Sequence, residues 1–221
     1  MSALHQRRDV TMPRAIPKRA TLIAFEGIDG SGKTTAANFL AERLATHGVE
    51  TSLHRNRSLG PVRDALDTLA CEDGYRDRFD MFGASNAQFM AALLKWRELL
   101  DIEPLLDQDN HVVIVDRYLY THLALAVAHG TTNGALLRRL FKIFPKPDIV
   151  FFIDVDPDVA ADRVLKRGRD TNSVEFLTRL RDGYRSLPEM RDFQVLSGEA
   201  DRATIADDVW RTVTPRVFEP A

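Results

Sequence analysis

A glycine-rich segment near the start of the chain has the residue types and spacing to bind phosphates, and it reads GIDGSGKT from Gly27 to Thr34. It satisfies the pattern G-x-x-x-x-G-K-S/T, in which glycines let backbone N–H groups turn toward phosphate oxygens. Lys33 would place a cation on the β- and γ-phosphates, and the Thr34 hydroxyl would ligate Mg²⁺. The candidate nucleotide-binding residues are Gly27, Asp29, Gly30, Ser31, Gly32, Lys33, Thr34 and Thr35.

A second group of candidate residues follows the apolar run at 112–115, which ends in Asp116 and Arg117. A strand that ends in a carboxylate near a phosphate loop is what a Mg²⁺–nucleotide site needs. Asp116 would hold the metal through water or accept the proton of the phosphoryl acceptor, and Arg117 suits a phosphate because it is always charged. The alternative is an ordinary solvated Asp–Arg pair at the end of a strand.

A third group consists of basic residues around Gly168, namely Arg163, Lys166, Arg167 and Arg169. Arg163 and Arg167 are four residues apart and therefore share a helix face. Cations on a mobile loop could close over the transferring phosphoryl group, where an arginine can raise the rate by ~10³–10⁵. The alternative is a solvated basic helix end that complements the helix dipole.

These residues need a scaffold, and from Thr21 onward the chain alternates strand and helix patterns typical of a parallel α/β sheet. We predict strands at 22–25, 49–54, 112–115, 148–155 and 193–196. We predict helices at 33–47, 61–70, 79–107 with an interruption at Pro104, 118–129, 133–144, 157–167, 173–187 and 205–213. The expected fold is one doubly wound α/β domain at 21–221, with a five-stranded parallel sheet and a lid near 167–173. Residues 1–20 are basic, contain two prolines and are expected to form a flexible tail.

Composition excludes several classes of protein. The 221 residues contain 30 Lys and Arg against 32 Asp and Glu, and this net charge of -2 argues against a protein that coats nucleic acid. The single cysteine, Cys71, excludes an internal disulfide framework and a cysteine-cluster metal site. The apolar runs are too short to span a membrane, and residues 1–20 lack the apolar core of a signal peptide. We therefore expect a cytoplasmic enzyme or binding protein.

Together the three groups resemble the thymidylate kinase family of nucleoside monophosphate kinases, over most of the chain from about Leu22 to Val213. Residues 25–35 are similar to the opening loop of that family, and Asp116-Arg117-Tyr118 is similar to its Asp-Arg-Tyr/Phe motif. The segments at 147–155 and 163–168 resemble a strand and the entry to the lid, and 176–184 resembles the helix that follows the lid. The combination is specific, although no single piece is.

The resemblance implies reversible transfer of the γ-phosphoryl group of ATP to a nucleoside 5′-monophosphate, with Mg²⁺. It implies that Lys33 and Thr34 serve ATP and the metal, and that Asp29 contacts the sugar hydroxyl of the acceptor. It further implies that Asp116 organises Mg²⁺ and the acceptor phosphate, and that Arg117 grips this phosphate.

The resemblance also assigns roles to the lid and to a subunit contact. Arg167 would lie along the adenine of ATP. Gly30 stands where some members carry a loop arginine, so the lid residues Arg163 and Arg169 become the candidate catalytic cations. The family is homodimeric, and the apolar segment 82–100 is a candidate contact face.

The chain departs from the family on the acceptor side. Many bacterial members read TREPGG after the second strand, where this chain reads HRNRSLG at 54–60. Arg55 or Arg57 would then hold the acceptor phosphate. Phe82 matches the phenylalanine on which the base stacks, but Asn86 stands where an arginine normally donates to the thymine carbonyl. An Asn amide both donates and accepts, so a different base edge could be read.

Two further departures concern the helix after the Asp-Arg-Tyr motif, where Leu125-Ala126 replaces a tyrosine–glutamine pair, and the lid, which is short. The sequence therefore predicts phosphoryl transfer to dTMP or to a related pyrimidine nucleotide, such as a modified one. One alternative is a nucleoside kinase or another small-molecule kinase with a phosphate loop. Another is a non-catalytic nucleotide-binding module, although such a module has little need for Lys33, Thr34 and Asp116 together.

Overall fold

A parallel sheet of five strands forms the centre of the computed structural model, which describes residues 18–56, 60–168 and 172–218. The strands are β1 (Thr21–Glu26), β2 (Glu50–His54), β3 (His111–Asp116), β4 (Ile149–Asp154) and β5 (Gln194–Ser197). They lie in the order β2-β3-β1-β4-β5, with every pair parallel. The strands β1, β3 and β4 are near-continuous apolar runs buried along most of their length, as expected for the middle of a parallel sheet. The predicted α/β fold with a five-stranded parallel sheet is confirmed.

The helices within the described residues occupy most of the predicted segments. They are α1 (Lys33–Thr46), α2 (Gly60–Glu72), α3 (Arg78–Phe82), α4 (Ala84–Leu100), α5 (Glu103–Leu106), α6 (Tyr120–Ala128), α7 (Gly134–Leu140), α8 (Pro157–Leu165), α9 (Val174–Arg185) and α10 (Arg202–Phe218). The helical region predicted at 79–107, with one interruption at Pro104, contains three helices and two breaks in the structure. It breaks at Gly83, which has a φ of 75°, and again at 101–102. Pro104 lies in the first turn of α5, where its missing N–H has no consequence.

Two apolar layers cover the two faces of the sheet. Ile23 and Phe25 of β1 face α1 and α10, where they pack in one cluster with Leu40 and Val209. Leu22 and its neighbours on the other face pack against side chains of α4, α6 and α9. Because side chains alternate along a strand, each strand contributes to both layers. Both faces are therefore closed, and the loops at the carboxyl ends of the strands are left to form a site.

The carboxyl ends of β1 and β3 coincide, since Phe25 is paired with Asp116 in the register of the two strands. The chain leaves β1 toward one side of the sheet, to β2, and leaves β3 toward the other side, to β4. Ligands of doubly wound proteins bind at such a switch point. The topology thus brings the glycine-rich loop and the Asp116-Arg117 pair to one place.

The last residues of the predicted N-terminal tail pack against the domain. The backbone N–H groups of Arg19 and Ala20 donate to the Leu106 carbonyl at 2.7 and 3.0 Å, and Lys18 donates to Asp148 at 2.5 Å. Residues 1–17 lie outside the described part of the chain. No helix within the described ranges combines the length and the apolar character that a bilayer crossing requires.

Candidate functional site

The loop between β1 and α1 depends on two glycines for its shape. Gly27 has a φ of +140°, and a Cβ there would lie 2.6 Å from the Ile153 carbonyl oxygen. Gly30 has a φ of +84°, and a Cβ there would lie 2.4 Å from the Ala160 carbonyl oxygen. Neither position accepts a side chain, because both the backbone angle and the space exclude one. Because no side chain covers the backbone at Gly27 and Gly30, a ligand can contact the backbone N–H groups of the loop directly.

The first turn of α1 is open to an anion. Its N-cap residue is Gly32, which has no side chain to satisfy the first N–H groups of the helix. Such groups, together with the helix dipole, favour a phosphate at this end. The predicted phosphate loop therefore has the backbone geometry that its sequence pattern indicates.

Lys33 lies inside the loop rather than in solvent. Its side chain is 5% exposed, and Nζ donates to the Ile28 carbonyl at 2.6 Å and to Ser31 Oγ at 3.3 Å. Burial, together with the nearby Arg117 charge, lowers the pKa of Lys33 to about 8. The carboxylates of Asp29, Asp116 and Glu26 oppose this shift, and a phosphate placed in the loop would add further negative charge beside the ammonium group.

Thr34 and Asp116 form a pair suited to a divalent cation. The Thr34 hydroxyl donates to Asp116 Oδ2 at 2.6 Å across the gap between α1 and β3. The other carboxylate oxygen, Asp116 Oδ1, is buried and has no hydrogen-bond partner among the described residues. Hydroxyl and carboxylate oxygens are the ligands that Mg²⁺ prefers. The residues present therefore fit a magnesium ion, as the sequence predicts.

Arg117 occupies a strained backbone conformation, with a φ of 68°, at the end of β3. Its Nη1 donates to the Gly27 carbonyl at 2.8 Å and to the Tyr184 hydroxyl at 3.3 Å, and its Nη2 forms an ion pair with Asp29. The Arg117 charge holds the pKa of Asp29 at about 2. Asp29 also accepts a hydrogen bond of 3.0 Å from Asn172. The two residues predicted to serve the acceptor are thus already joined to each other and to the loop.

The predicted lid residues differ in their positions. Arg167 is exposed and lines the cleft in front of the loop. Arg163 extends along the back of the loop, where its Nη1 donates to the Gly198 carbonyl at 2.7 Å. Arg169 lies outside the described residues. The catalytic roles assigned to Arg163 and Arg169 therefore stay predictions.

A cleft of about 1060 Å³ extends from the phosphate loop toward α2, α3, α4, α6 and α9. Phe82 lines this cleft, as its predicted role requires. Asn86 does not belong to the lining. It is exposed, and its side-chain amide donates to the Phe82 carbonyl at 2.9 Å. The sequence predicts that Phe82 and Asn86 act on the same base, but in the structure only Phe82 lines the cleft.

Of the two arginines after β2 that were predicted to hold the acceptor phosphate, Arg55 does not line this cleft. Arg55 donates to the Asn38 side chain at 2.8 Å and lines a neighbouring cavity of about 410 Å³. Arg57 lies outside the described residues. The cations that line the main cleft and that sequence reasoning missed are Arg63, Arg78 and Lys95.

Lys95 and Gln88 lie on the buried face of α4, which the apolar residues of this segment do not mark. Leu93, for example, is 41% exposed. The buried positions include 88, 92, 95 and 99, which follow helical spacing and carry Gln88 and Lys95 among small and apolar residues. A sequence signal for this face exists, because Gln88 and Lys95 stand at helical spacing from Ala92 and Leu99.

Lys95 carries charge into the cleft. It is 3% exposed, and its Nζ lies 3.4 Å from Glu98 and 3.5 Å from the Asn56 side chain. Burial lowers its pKa, and the negative charge of Glu98 opposes this shift. Arg78, at the far wall, forms an ion pair with Asp67. Both cations therefore line the cleft together with their acidic partners, Glu98 and Asp67.

Gln88 and His122 form a polar patch on the wall opposite the loop. The Gln88 amide nitrogen donates to the His122 carbonyl at 3.0 Å and lies 3.5 Å from His122 Nδ1. Burial lowers the pKa of His122 to about 3, so this ring is neutral at physiological pH. A neutral imidazole and an amide each combine a donor with an acceptor.

A doubly wound parallel sheet, a phosphate loop at its switch point and a carboxylate at the end of the adjacent strand define a phosphotransferase of the P-loop class. The thymidylate kinase family model matches residues 25–207. The chain therefore belongs to the thymidylate kinase family, and it is a nucleoside monophosphate kinase.

Individual relatives agree with the family model. A thymidylate kinase of Xylella fastidiosa is 31% identical over 189 residues, which cover 83% of this chain and 82% of the relative. A probable thymidylate kinase of Archaeoglobus fulgidus is 33% identical over 67% of this chain and 71% of its own. A thymidylate kinase of Afipia carboxidovorans is 29% identical over 92% of this chain and 93% of its own.

Proposed function

We propose that the protein transfers the γ-phosphoryl group of ATP, with Mg²⁺, to dTMP or a closely related pyrimidine nucleoside 5′-monophosphate. One observation carries this proposal: the phosphate loop opens into the same cleft that Arg117 and Phe82 line. A nucleoside triphosphate on the loop and a monophosphate in the cleft would meet head to head. The names of the relatives support thymidylate as the acceptor.

On the donor side, the protein would supply position and charge, since phosphoryl transfer needs little covalent chemistry from an enzyme. The loop N–H groups and Lys33 would hold the β- and γ-phosphates. Thr34 and Asp116 would hold Mg²⁺, which would supply positive charge to the reacting phosphates. Lys33 would exchange its bond to the Ile28 carbonyl for phosphate oxygens, and its pKa would rise accordingly.

On the acceptor side, Arg117 would grip the monophosphate and Asp29 would contact the sugar hydroxyl. Arg63 and Lys95, which line the same cleft, would add positive charge around the acceptor phosphate. Arg167 is the lid cation that already faces the cleft. Arg163 would act on the phosphoryl group only after its guanidinium leaves the Gly198 carbonyl.

The base would stack on Phe82, and its edge would be read by Gln88 and His122 rather than by Asn86. Both residues line the cleft, whereas Asn86 is exposed and bonded to backbone. A neutral His122 offers one donor and one acceptor, which suits a base edge that carries a carbonyl and an N–H.

Homodimer formation and a cytoplasmic location also stay predictions. Exposed apolar side chains occur on three mutually contacting helices, at Leu93, Val127 and Leu136. We propose that this surface forms the subunit contact. We also propose that residues 21–221 form one domain and that 167–173 acts as its lid.

The test is ADP release from ATP and Mg²⁺ with a panel of acceptors, using Lys33→Ala as the blank. The panel contains dTMP, dUMP, dCMP, 5-substituted pyrimidine monophosphates and the matching nucleosides. We expect turnover with dTMP or a 5-substituted relative, and none with a nucleoside. Activity that needs no phosphate on the acceptor would replace this proposal with a nucleoside kinase, and no activity with any acceptor would overturn it.

A further inference from the structure

A buried carboxylate lies directly behind the acceptor side of the site. Glu26, the last residue of β1, is fully buried. Its Oε1 accepts from the Tyr118 backbone N–H at 3.0 Å, and its Oε2 accepts from the hydroxyls of Thr121 at 2.6 Å and Tyr184 at 2.8 Å. These partners are neutral donors. Burial raises the pKa of Glu26, and the two hydroxyl hydrogen bonds oppose that shift.

The Tyr184 hydroxyl connects this carboxylate to Arg117. A phenol has one proton to donate, and it is accepted by Glu26 or by the Thr121 hydroxyl, which itself bonds to Glu26. The oxygen of Tyr184 is then left to accept from Arg117 Nη1 at 3.3 Å, since a guanidinium can only donate. The same Nη1 also donates to the Gly27 carbonyl, at 2.8 Å. Glu26 thus fixes which way the Tyr184 hydroxyl points, and the hydroxyl helps to fix the guanidinium.

The packing of two helices brings these distant residues together. Tyr184 is on α9 and Thr121 is on α6, and their hydroxyls are 2.6 Å apart. A Cβ on Gly183 would lie 2.5 Å from the Ala124 carbonyl oxygen, so α9 approaches α6 closely only because Gly183 has no side chain. The close approach places the Tyr184 ring, which is fully buried, under the end of β3.

We propose that Tyr184 is a positioning residue for Arg117, oriented by Glu26 and Thr121, and that it thereby sets the affinity of the site for the acceptor phosphate. This inference rests on the proposed function in one respect, namely that Arg117 holds the acceptor phosphate. Arg117 has a left-handed backbone conformation, so the direction of its side chain has to be maintained by contacts such as this one.

The test compares two buried tyrosines, of which only Tyr184 contacts Arg117 through its hydroxyl. Tyr184→Phe removes this hydroxyl together with its contacts to Glu26 and Thr121. Tyr118→Phe removes a hydroxyl that donates to the Pro145 carbonyl at 2.9 Å, and the family motif accepts phenylalanine at this position. Tyr184→Phe should therefore lose more thermal stability than Tyr118→Phe, but a merely structural role predicts similar kinetics for the two variants.

We expect Tyr184→Phe to raise the KM for the monophosphate about tenfold while the KM for ATP stays within twofold, a size typical of one lost hydrogen bond to a charged group. Tyr118→Phe should change neither constant by more than twofold. Equal acceptor KM values in the two variants would overturn the inference. Thr121→Val, which removes a hydroxyl donor to Glu26 without changing side-chain size, should shift the acceptor KM in the same direction by a smaller factor.

A second readout separates this inference from the proposed function. Phenylglyoxal reacts with guanidinium groups, and mass spectrometry of the peptide containing Arg117 gives its rate of modification. A released Arg117 should react several times faster in Tyr184→Phe than in Tyr118→Phe, whatever the acceptor is. Equal rates would show that Tyr184 does not hold Arg117. A faster rate with no turnover of any acceptor would instead count against the proposed function alone.

Discussion

The donor-phosphate loop and the acceptor side of the cleft are built in different ways. The loop uses consecutive residues and backbone groups, and Thr34 next to it bonds to Asp116 at the end of an adjacent strand in register. The acceptor side uses single side chains from α2, α3, α4, α6 and α9. A backbone-built site tolerates few sequences because its glycines are obligatory, whereas a site built from separate side chains can change one residue at a time. Single substitutions in the donor half should therefore abolish most of the activity, whereas single substitutions in the acceptor half should lower it by smaller, varying factors.

The largest expected effect is on the donor half. Lys33→Ala should lower phosphoryl transfer by about 10³-fold, because it removes the cation that the chain buries inside the loop. The thermal midpoint should change little, since burial already disfavours the charge of Lys33 in the folded state. The measurement is ADP release at saturating ATP, together with thermal unfolding. Lys146→Ala, at an exposed lysine, is the control, and a retained rate in Lys33→Ala would remove the loop from the mechanism.

The second prediction tests the metal pair. Asp116→Asn should lower activity about 10²-fold at low Mg²⁺, because a neutral amide binds a hard divalent cation more weakly than a carboxylate does. Raising the Mg²⁺ concentration should recover part of the rate. The matched control is Asp109→Asn, at an exposed carboxylate that pairs with Arg19. A rate that does not respond to Mg²⁺ in Asp116→Asn would assign the carboxylate to proton transfer instead.

The donor half could be predicted from the sequence more completely than the acceptor half, because it is built from consecutive residues. The strands, the loop and the Thr34–Asp116 pair follow from local rules, since a buried apolar run, obligatory glycines and a carboxylate at a strand end each leave a local signature. Gly83 interrupts the predicted long helix because its positive φ lets the chain turn between α3 and α4. Its effect was underestimated because a glycine inside a helical pattern is often tolerated.

The acceptor side was harder to predict because it depends on which face of a helix turns inward. Asn86 and Gln88 both carry side-chain amides and lie two positions apart on α4. Asn86 is exposed to solvent, whereas Gln88 is buried, with only 2% of its surface exposed. Alignment to a family motif selected Asn86, whereas burial at 88, 92, 95 and 99 selects Gln88. Arg63 and Arg78 reach the cleft through the packing of α2 and α3, which no short motif encodes.

The third prediction uses these two amides as a matched pair. Gln88→Leu should raise the KM for the monophosphate about tenfold, because it removes a buried amide that lines the cleft and bonds to the His122 carbonyl. Asn86→Leu should change it by less than twofold. Acceptor KM values are measured at saturating ATP for both variants. The opposite ranking would restore the motif-based role of Asn86 and contradict the base contacts proposed for α4.

The smallest expected effect concerns acid stability, and it separates the halves without any substrate. In the folded protein the pKa of His122 is about 3, against 6.5 for an ordinary histidine, so only the unfolded chain gains this proton as the pH falls through 6.5. The free energy of unfolding should therefore decrease as the pH is lowered, by about 0.8 kcal/mol from this residue between pH 7.5 and 6. Asp29, which lies in the phosphate loop, has a pKa of about 2, so it stays ionised and contributes no change over that interval. The measurement is urea unfolding at the two pH values. The free energy of unfolding should differ less between them for His122→Gln than for the wild type. The control is His47→Gln, at an exposed histidine, which should retain the wild-type difference. An unchanged difference in His122→Gln would mean that its ring is solvated and titrates normally, and the neutral base contact proposed for the acceptor half would be wrong.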